Sequence, residues 1–268
     1  MPRSRDYSKE IEYYKNNFVS LKDCAEKFHL DIKTFVKKLK EQNIEIRETR
    51  RKYKIDEEYF KNINNGEKIY WLGFLMADGY LNSKGTQFGI TLSESDENHI
   101  EKFKECLKSD HPIKHGINNH SEFSQTKVSV FRISSKKLYN DLINLGFTSN
   151  KTGNEFFIHS DYDLDFIRGM FDGDGWLNYN KKHHSREFGI CSNLQMCESI
   201  KKVFEKNGVL HADISKNNTK KSNELYRIRY YRKKELLKIY DLLYNRSSKL
   251  PYLNRKKEKF NEIINDFN

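Results

Sequence analysis

The sequence predicts an α+β protein of two pseudo-symmetric αββαββα halves, preceded by a small all-α domain. Three observations carry this expectation. An apolar stretch ending in Asp-Gly occurs twice, as residues 70–79 and 166–175, with its aspartates Asp78 and Asp174 96 residues apart. Strand-like and helix-like segments behind each copy recur at a period of about 100 residues, which marks a duplicated domain and not a solenoid. Charge divides the chain as well: residues 1–55 carry a net +6, residues 56–215 a net −4 and residues 216–268 a net +9. The expected layout is a helical domain at 1–50, a basic linker with a lead-in helix at 51–65, a first half at 66–155 and a second at 156–268.

In the N-terminal domain, residues 8–18 read as a short helix. Ser20 stands where an N-cap belongs, with Asp23 three residues on, and Asp31 precedes a second apolar-periodic segment, 32–40. Leu21, Cys24, Ala25, Phe28, Leu30, Ile32, Phe35, Val36 and Leu39 suit two short helices crossing near the small Ala25. This arrangement resembles a helix-turn-helix, whose second helix would turn Lys33, Thr34 and Lys37 toward a DNA groove. A helical domain with a solvated basic face would show the same letters. The connector with Arg47, Arg50, Arg51 and Lys52 is long enough to follow a DNA backbone, or is a solvated linker. A further short helix is expected over 56–63.

Between the two motif copies, Gly73 matches Gly169, Ala77 matches Gly173, Asp78 matches Asp174 and Gly79 matches Gly175. A glycine inside a helix costs roughly 1 kcal/mol relative to alanine, so close approach of another backbone is the expected reason for it. Small residues at i and i+4 leave one helix face bare, and two such faces packed together bring both helix ends to one place. The aspartates then stand side by side, each before a glycine able to take the left-handed stop conformation. A helix C-terminus is the unfavourable end of the dipole for an anion, so a cation is expected there. Paired carboxylates sharing hard divalent ions are a standard device for phosphodiester hydrolysis. Carboxylate caps on two buried helices would explain one copy, but not two with matching flanks.

After Gly79 the pattern alternates. Residues 80–84 and 87–92 read as a hairpin through Lys84-Gly85-Thr86. A helix follows with Ile100, Phe103, Cys106 and Leu107 on one face, then strands around 113–117 and 127–134, then a helix from Lys136 to Leu145 that ends at Gly146. The second half repeats the order: Phe188-Gly189-Ile190 sits 100 residues after Phe88-Gly89-Ile90, strands are expected at 209–216 and 225–231, and the last helix at 233–244.

The paired motif resembles that of the LAGLIDADG homing endonucleases, through residues 72–79 and 167–175. Met76 departs from the acidic residue often found at its place, whereas Asp172 keeps it. The resemblance covers roughly residues 56–260 and implies a DNA endonuclease that cuts both strands of a long, near-palindromic site across the minor groove with Mg²⁺, held by Asp78 and Asp174 as catalytic metal ligands. It also implies an active-site lysine after the last helix of each half. Residues 146–151 align without gaps on 251–256, which makes these Lys151 and Lys256. Glu94 is a water-positioning group by family position, although its counterpart is the apolar Leu194. The hairpin strands should form a saddle for the duplex, every second residue facing DNA. Tyr80, Asn82, Lys84 and Thr91 come from one half, Asn178, Asn180, Lys182 and Arg186 from the other, with Arg132, Arg227 and Arg229 on later strands. An exposed sheet face is the plainer explanation of any one of them.

Hydrophobic content of 36% is low, but 18 Phe and 16 Tyr can build a core, so the chain reads as globular. A net charge of +11 points to a polyanion, here double-stranded DNA. Four cysteines without CxxC spacing read as reduced core residues. No apolar leader or membrane-length run is present, so an intracellular, non-secreted monomer is expected, in the cytoplasm (at the nucleoid) or in an organelle. Two other functions fit the same letters: a DNA-binding regulator that keeps the fold without cleavage, and an RNA maturase.

Overall fold

The computed structural model describes residues 5–17, 19–46, 53–121, 124–150, 153–183, 185–217, 225–246 and 249–266. The chain separates into two compact units, Met1–Lys54 and Ile55–Asn268.

Among its described residues the first unit has three helices, α1 (Ser8–Asn16), α2 (Leu21–Phe28) and α3 (Ile32–Glu41). Each of the last two is started by a side chain: the Ser20 hydroxyl accepts the Asp23 N–H (3.1 Å) and the Asp31 carboxylate accepts the Thr34 N–H (2.8 Å). His29 ends α2 in the left-handed region, φ 50°, where glycine is the commoner residue. Ile11, Tyr14, Cys24, Phe35 and Leu39 form the core of this unit.

The second unit contains one pattern twice. The first half runs α4 (Gly66–Asp78), β1 (Gly79–Leu81), β2 (Gln87–Ser93), α5 (Glu97–Cys106), β3 (Lys114–Ser121), β4 (Ser124–Ser134) and α6 (Lys136–Asn144). The second runs α7 (Asp163–Asp174), β5 (Gly175–Asn180), β6 (Ser185–Ser192), α8 (Leu194–Lys206), β7 (Asp213–Lys216), β8 (Tyr226–Tyr230) and α9 (Lys233–Tyr240). Each half has one antiparallel sheet, with the orders β1-β2-β4-β3 and β5-β6-β8-β7. The register repeats too: Gly79 pairs with Ile90 as Gly175 pairs with Ile190. This is the α+β architecture of two pseudo-symmetric halves that the repeat predicts.

Helices α4 and α7 are the axis of this unit. Residues Ile69 to Ala77 and Leu164 to Asp172 are all buried, as expected of helices enclosed on every side. Their backbones touch. A Cβ on Gly73 would run into the Phe166 carbonyl and stand 3.2 Å from the Met170 nitrogen. One on Gly169 would run into the Tyr70 carbonyl and stand 2.7 Å from the Phe74 nitrogen. The glycines after the aspartates differ from expectation: Gly79 (φ −71°, ψ 158°) and Gly175 (φ −76°, ψ 162°) are extended, not left-handed. Each is the first residue of a strand, and a Cβ there would strike the carbonyl of Leu75 or Phe171 one turn back.

Three further differences have physical causes. No helix forms at 56–63; isolated turns occur there instead, because Tyr59 and Phe60 are drawn into the core. The last helix of the repeat stops at Tyr240 and continues as a wider π-turn over Asp241–Asn245. A helix the apolar pattern does not announce, α10 (Asn254–Asn265), follows; only Phe260 and Ile263 of its apolar side chains are buried, in an otherwise polar run.

His99 on α5 packs against α4 with its ring fully enclosed, Nε2 lying 2.9 Å from the Tyr70 hydroxyl oxygen. Burial, helped by the charges of Lys102 and Arg255, pushes its pKa down to about 3. The unfolded imidazole titrates near 6.5, so below that pH the unfolded chain binds a proton that the folded chain refuses, and stability falls with acidification. Wild-type protein should lose about 2 kcal/mol more than His99→Gln between pH 7 and pH 5 in urea titrations, and equal losses would contradict a neutral, enclosed His99.

Candidate functional site

Asp78 and Asp174 are the last residues of α4 and α7. They are brought together by the same small-residue contact that pairs the helices. A Cβ on Gly173 would overlap the Ala77 methyl and stand 3.3 Å from Asp78 Oδ2, so the second motif's backbone runs directly past the first motif's carboxylate. Asp78 is half-buried and Asp174 exposed. Two carboxylates and two helix C-termini make this junction strongly electronegative.

Lys256 partly answers that charge. It lies in the first turn of α10, 6% exposed, and its ammonium donates to the Phe171 carbonyl (3.2 Å) and to the Gly175 carbonyl. Burial, then the nearby Arg255 charge, pushes its pKa down to about 8, while Asp172, Asp78 and Asp174 work in the opposite direction. Lys151, the corresponding residue of the first half, lies outside the described residues.

A divalent metal fits this donor set. Among the described residues no group of three or more His, Cys, Asp or Glu gathers to enclose an ion. Two carboxylates at an open junction suit a hard cation that retains water and takes further oxygens from a phosphate, as Mg²⁺ does.

The sheets present a matched row on the face opposite the core. Tyr80, Gly89 and Arg132 are cross-strand neighbours, as are Trp176, Gly189 and Arg229. The glycine in each row leaves room for the aromatic ring, and a Cβ on Gly189 would strike the Trp176 indole. Arg132 Nε donates to the Tyr80 hydroxyl (2.9 Å), and Arg229 donates to Asp213 (2.6 Å) and Ser215 (2.9 Å). Thr91 is exposed on this face beside Val130, and Arg227 stands between Cys191 and Ser215. Asn178 and Asn180 share it as well, opposite Glu187 and Ser185. Lys84 and Lys182 are exposed at the hairpin turns.

Two of the expected face residues are placed otherwise. Arg186 pairs with Tyr179, on the face of Leu177 and Phe188, because strand alternation puts it one step out of phase with Asn178 and Asn180. Asn82 is taken up by its own hairpin, its Oδ1 accepting from the Thr86 (3.1 Å) and Gln87 (2.9 Å) amides. Lys33, Thr34 and Lys37 are exposed on α3 of the first unit, and Arg50 and Arg51 lie outside the described residues. Trp176, the equivalent of Tyr80, and its partner Glu187 (Nε1 to Oε1, 2.5 Å) are missing from the sequence-based set. The repeat offset of 96 would have found Trp176.

Residues 161–244 match the family model of the LAGLIDADG-like domain. The fold agrees. The LAGLIDADG homing endonuclease I-LtrWI, solved bound to its target DNA, superposes with a TM-score of 0.50 at 15% identity, over 79% of this chain and 91% of that one. Full-length DUF199/WhiA from Thermotoga maritima gives a TM-score of 0.49 at 15% identity, over 80% of this chain and 65% of that one. An uncharacterized protein of Methanocaldococcus jannaschii is 29% identical over 149 residues, 54% of each chain, so this chain spans about half the length of that curated relative. No helix among the described residues is long and apolar enough to cross a membrane.

Proposed function

We propose that the protein is a site-specific double-strand DNA endonuclease acting as a monomer, with Asp78 and Asp174 holding divalent metal. The observation that carries this reading is the delivery of both aspartates to one junction by backbone-packed helices, with the Lys256 ammonium anchored at the end of α7. When bound there, Mg²⁺ would supply Lewis acidity and an activated water. Asp78 and Asp174 would hold it between the halves, so that each half could address one strand. Lys256 lies close enough to the carboxylates to feel their charge, and its ammonium would stabilise negative charge developing on the phosphate. The two outward rows would track the groove on either side of the cut. Arg132, steadied by Tyr80, and Arg229, steadied by Asp213, are suited to guanine edges. Thr91, Asn178, Asn180 and Arg227 extend those faces, with Lys84 and Lys182 placed for phosphates.

The test is cleavage of a randomised duplex library in Mg²⁺, followed by Asp78→Asn and Asp174→Asn on the recovered site. Asparagine keeps the shape of the helix end and removes one negative charge. Both variants should lose cleavage by about 10²-fold or more while keeping DNA binding in Ca²⁺. Cutting at wild-type rates would sink the metal assignment. Binding without cutting by the wild-type protein would instead make it a DNA-binding regulator.

The first unit we propose to be a helix-turn-helix module that adds affinity through Lys33, Thr34 and Lys37 on α3 and through Arg50 and Arg51. Its support is the exposed basic face of α3 and the net +6 of residues 1–55. Each phosphate contact contributes about 0.9 to the slope of log K against log salt. Deleting residues 1–54 should therefore flatten that slope by several units and leave low-salt cleavage intact; an unchanged slope would remove this unit from the DNA.

A further inference from the structure

The endonuclease reading uses Asp174 and Lys256 but leaves Asp172, a carboxylate with no exposed surface at all, without a task. Burying an unpaired carboxylate is expensive, and this one is paired three times. Its Oδ1 accepts from the Tyr244 hydroxyl (2.6 Å), and its Oδ2 from the Tyr70 hydroxyl (2.7 Å) and the Leu253 backbone N–H (2.8 Å). The donors come from three places: α4, the π-turn after α9, and the N-cap residue of α10. No side chain caps α10; its N-cap position is Leu253 itself, the residue whose N–H Asp172 receives. The first turn of α10 starts from that point, with Lys256 N and Lys257 N both bonded to the Leu253 carbonyl.

We infer that Asp172 is a positioning residue: by holding the Leu253 N–H it sets the start of α10 and thereby places the Lys256 ammonium against the end of α7. One helix then locates both groups, carrying Asp174 at its end and fixing Lys256 through the residue two positions earlier. Other ties hold the same segment from outside. Arg168 Nε donates to the Pro251 carbonyl (3.0 Å), Lys102 Nζ to the Tyr252 carbonyl (3.0 Å), and Arg255 Nε to Asp96 (2.6 Å). Lys102 Nζ also bonds the Asn254 side chain (2.9 Å), but among these groups only Asp172 takes the backbone N–H at the N-cap of α10. In the first half the matching position is Met76, buried at 1% exposure, whose thioether is a poor acceptor. Among the described residues the device therefore belongs to the second half, and its effect falls on one of the two scissile bonds. That last consequence rests on the endonuclease reading.

The experiment uses the full chain and the duplex recovered from the library, with each strand end-labelled. Asp172→Leu fills the space and cannot accept; Asp172→Asn keeps one oxygen for the Leu253 amide. Asp172→Leu should slow the cut on one strand by about 10–100-fold through kcat and not KM, with DNA binding and the other strand unchanged. Asp172→Asn should restore most of that rate, and Asp172→Leu should add nothing in a Lys256→Met background. Equal loss on both strands, an Asn variant as poor as the Leu variant, or full multiplicative loss in the Lys256→Met background would overturn the assignment. If Asp172→Leu does not fold, the smaller Asp172→Ala, which likewise cannot accept from the Leu253 N–H, must give the same one-strand loss. Hydrogen exchange separates this inference from the endonuclease reading. In a protein that cuts no duplex at all, the amides of Leu253 and of the first turn of α10 should still exchange about tenfold faster in Asp172→Leu than in wild type; unchanged exchange would refute the positioning role by itself.

Discussion

Where α4 crosses α7 the two backbones touch, Gly73 against the Phe166 carbonyl and Gly169 against the Tyr70 carbonyl. Side chains normally hold packed helices 8–10 Å apart, and glycine at both crossing positions removes that spacer. The close approach carries through the next turn to Gly173 and Ala77, and so to the carboxylates that end both helices. Each sheet hangs from the glycine that follows its aspartate, so the position of the helix pair also sets where β1 and β5 begin. A contact that is purely steric thus decides where the charged groups meet.

The site's electrostatics follow from that geometry. Two helix C-termini and two carboxylates concentrate negative charge at a junction that, among the described residues, the buried Lys256 partly offsets. Lys256 stays near its neighbours' carbonyls, with a pKa lowered to about 8 chiefly by enclosure. The surrounding halves are similar in backbone and different in chemistry. Tyr80 faces Arg132 in one sheet, whereas Trp176 faces Glu187 in the other and Arg229 is tied to Asp213.

The duplication was legible because it is a matter of spacing: the motif offset of 96 and the Phe-Gly-Ile offset of 100 survive any error in assigning single elements. The order of strands and helices in both halves follows from that repeat and from alternation. What was not legible depends on contacts beyond the local pattern. Helix α10 is anchored by two buried apolar side chains and by a backbone amide bonded to Asp172, neither of which produces an apolar stripe. Arg186 lies on the opposite face from Asn178 and Asn180 because the phase of a strand is set by pairing, and Tyr179 is its partner. Gly79 and Gly175 suggested a left-handed stop, yet each is needed for tight passage beside the preceding turn. The role of Asp172 was hidden altogether, since a buried acid in a motif helix shows its partners only in three dimensions.

Replacing Gly169 with alanine, and measuring thermal stability together with strand cleavage, tests the backbone contact most directly. The added methyl has only backbone atoms to push against, so the helices must separate. The predicted result is a fall in Tm on the order of 5 °C, with loss of cleavage on both strands. An alanine variant with the Tm and the cleavage rates of the wild-type protein would show that the glycine contact does not bring the two aspartates together.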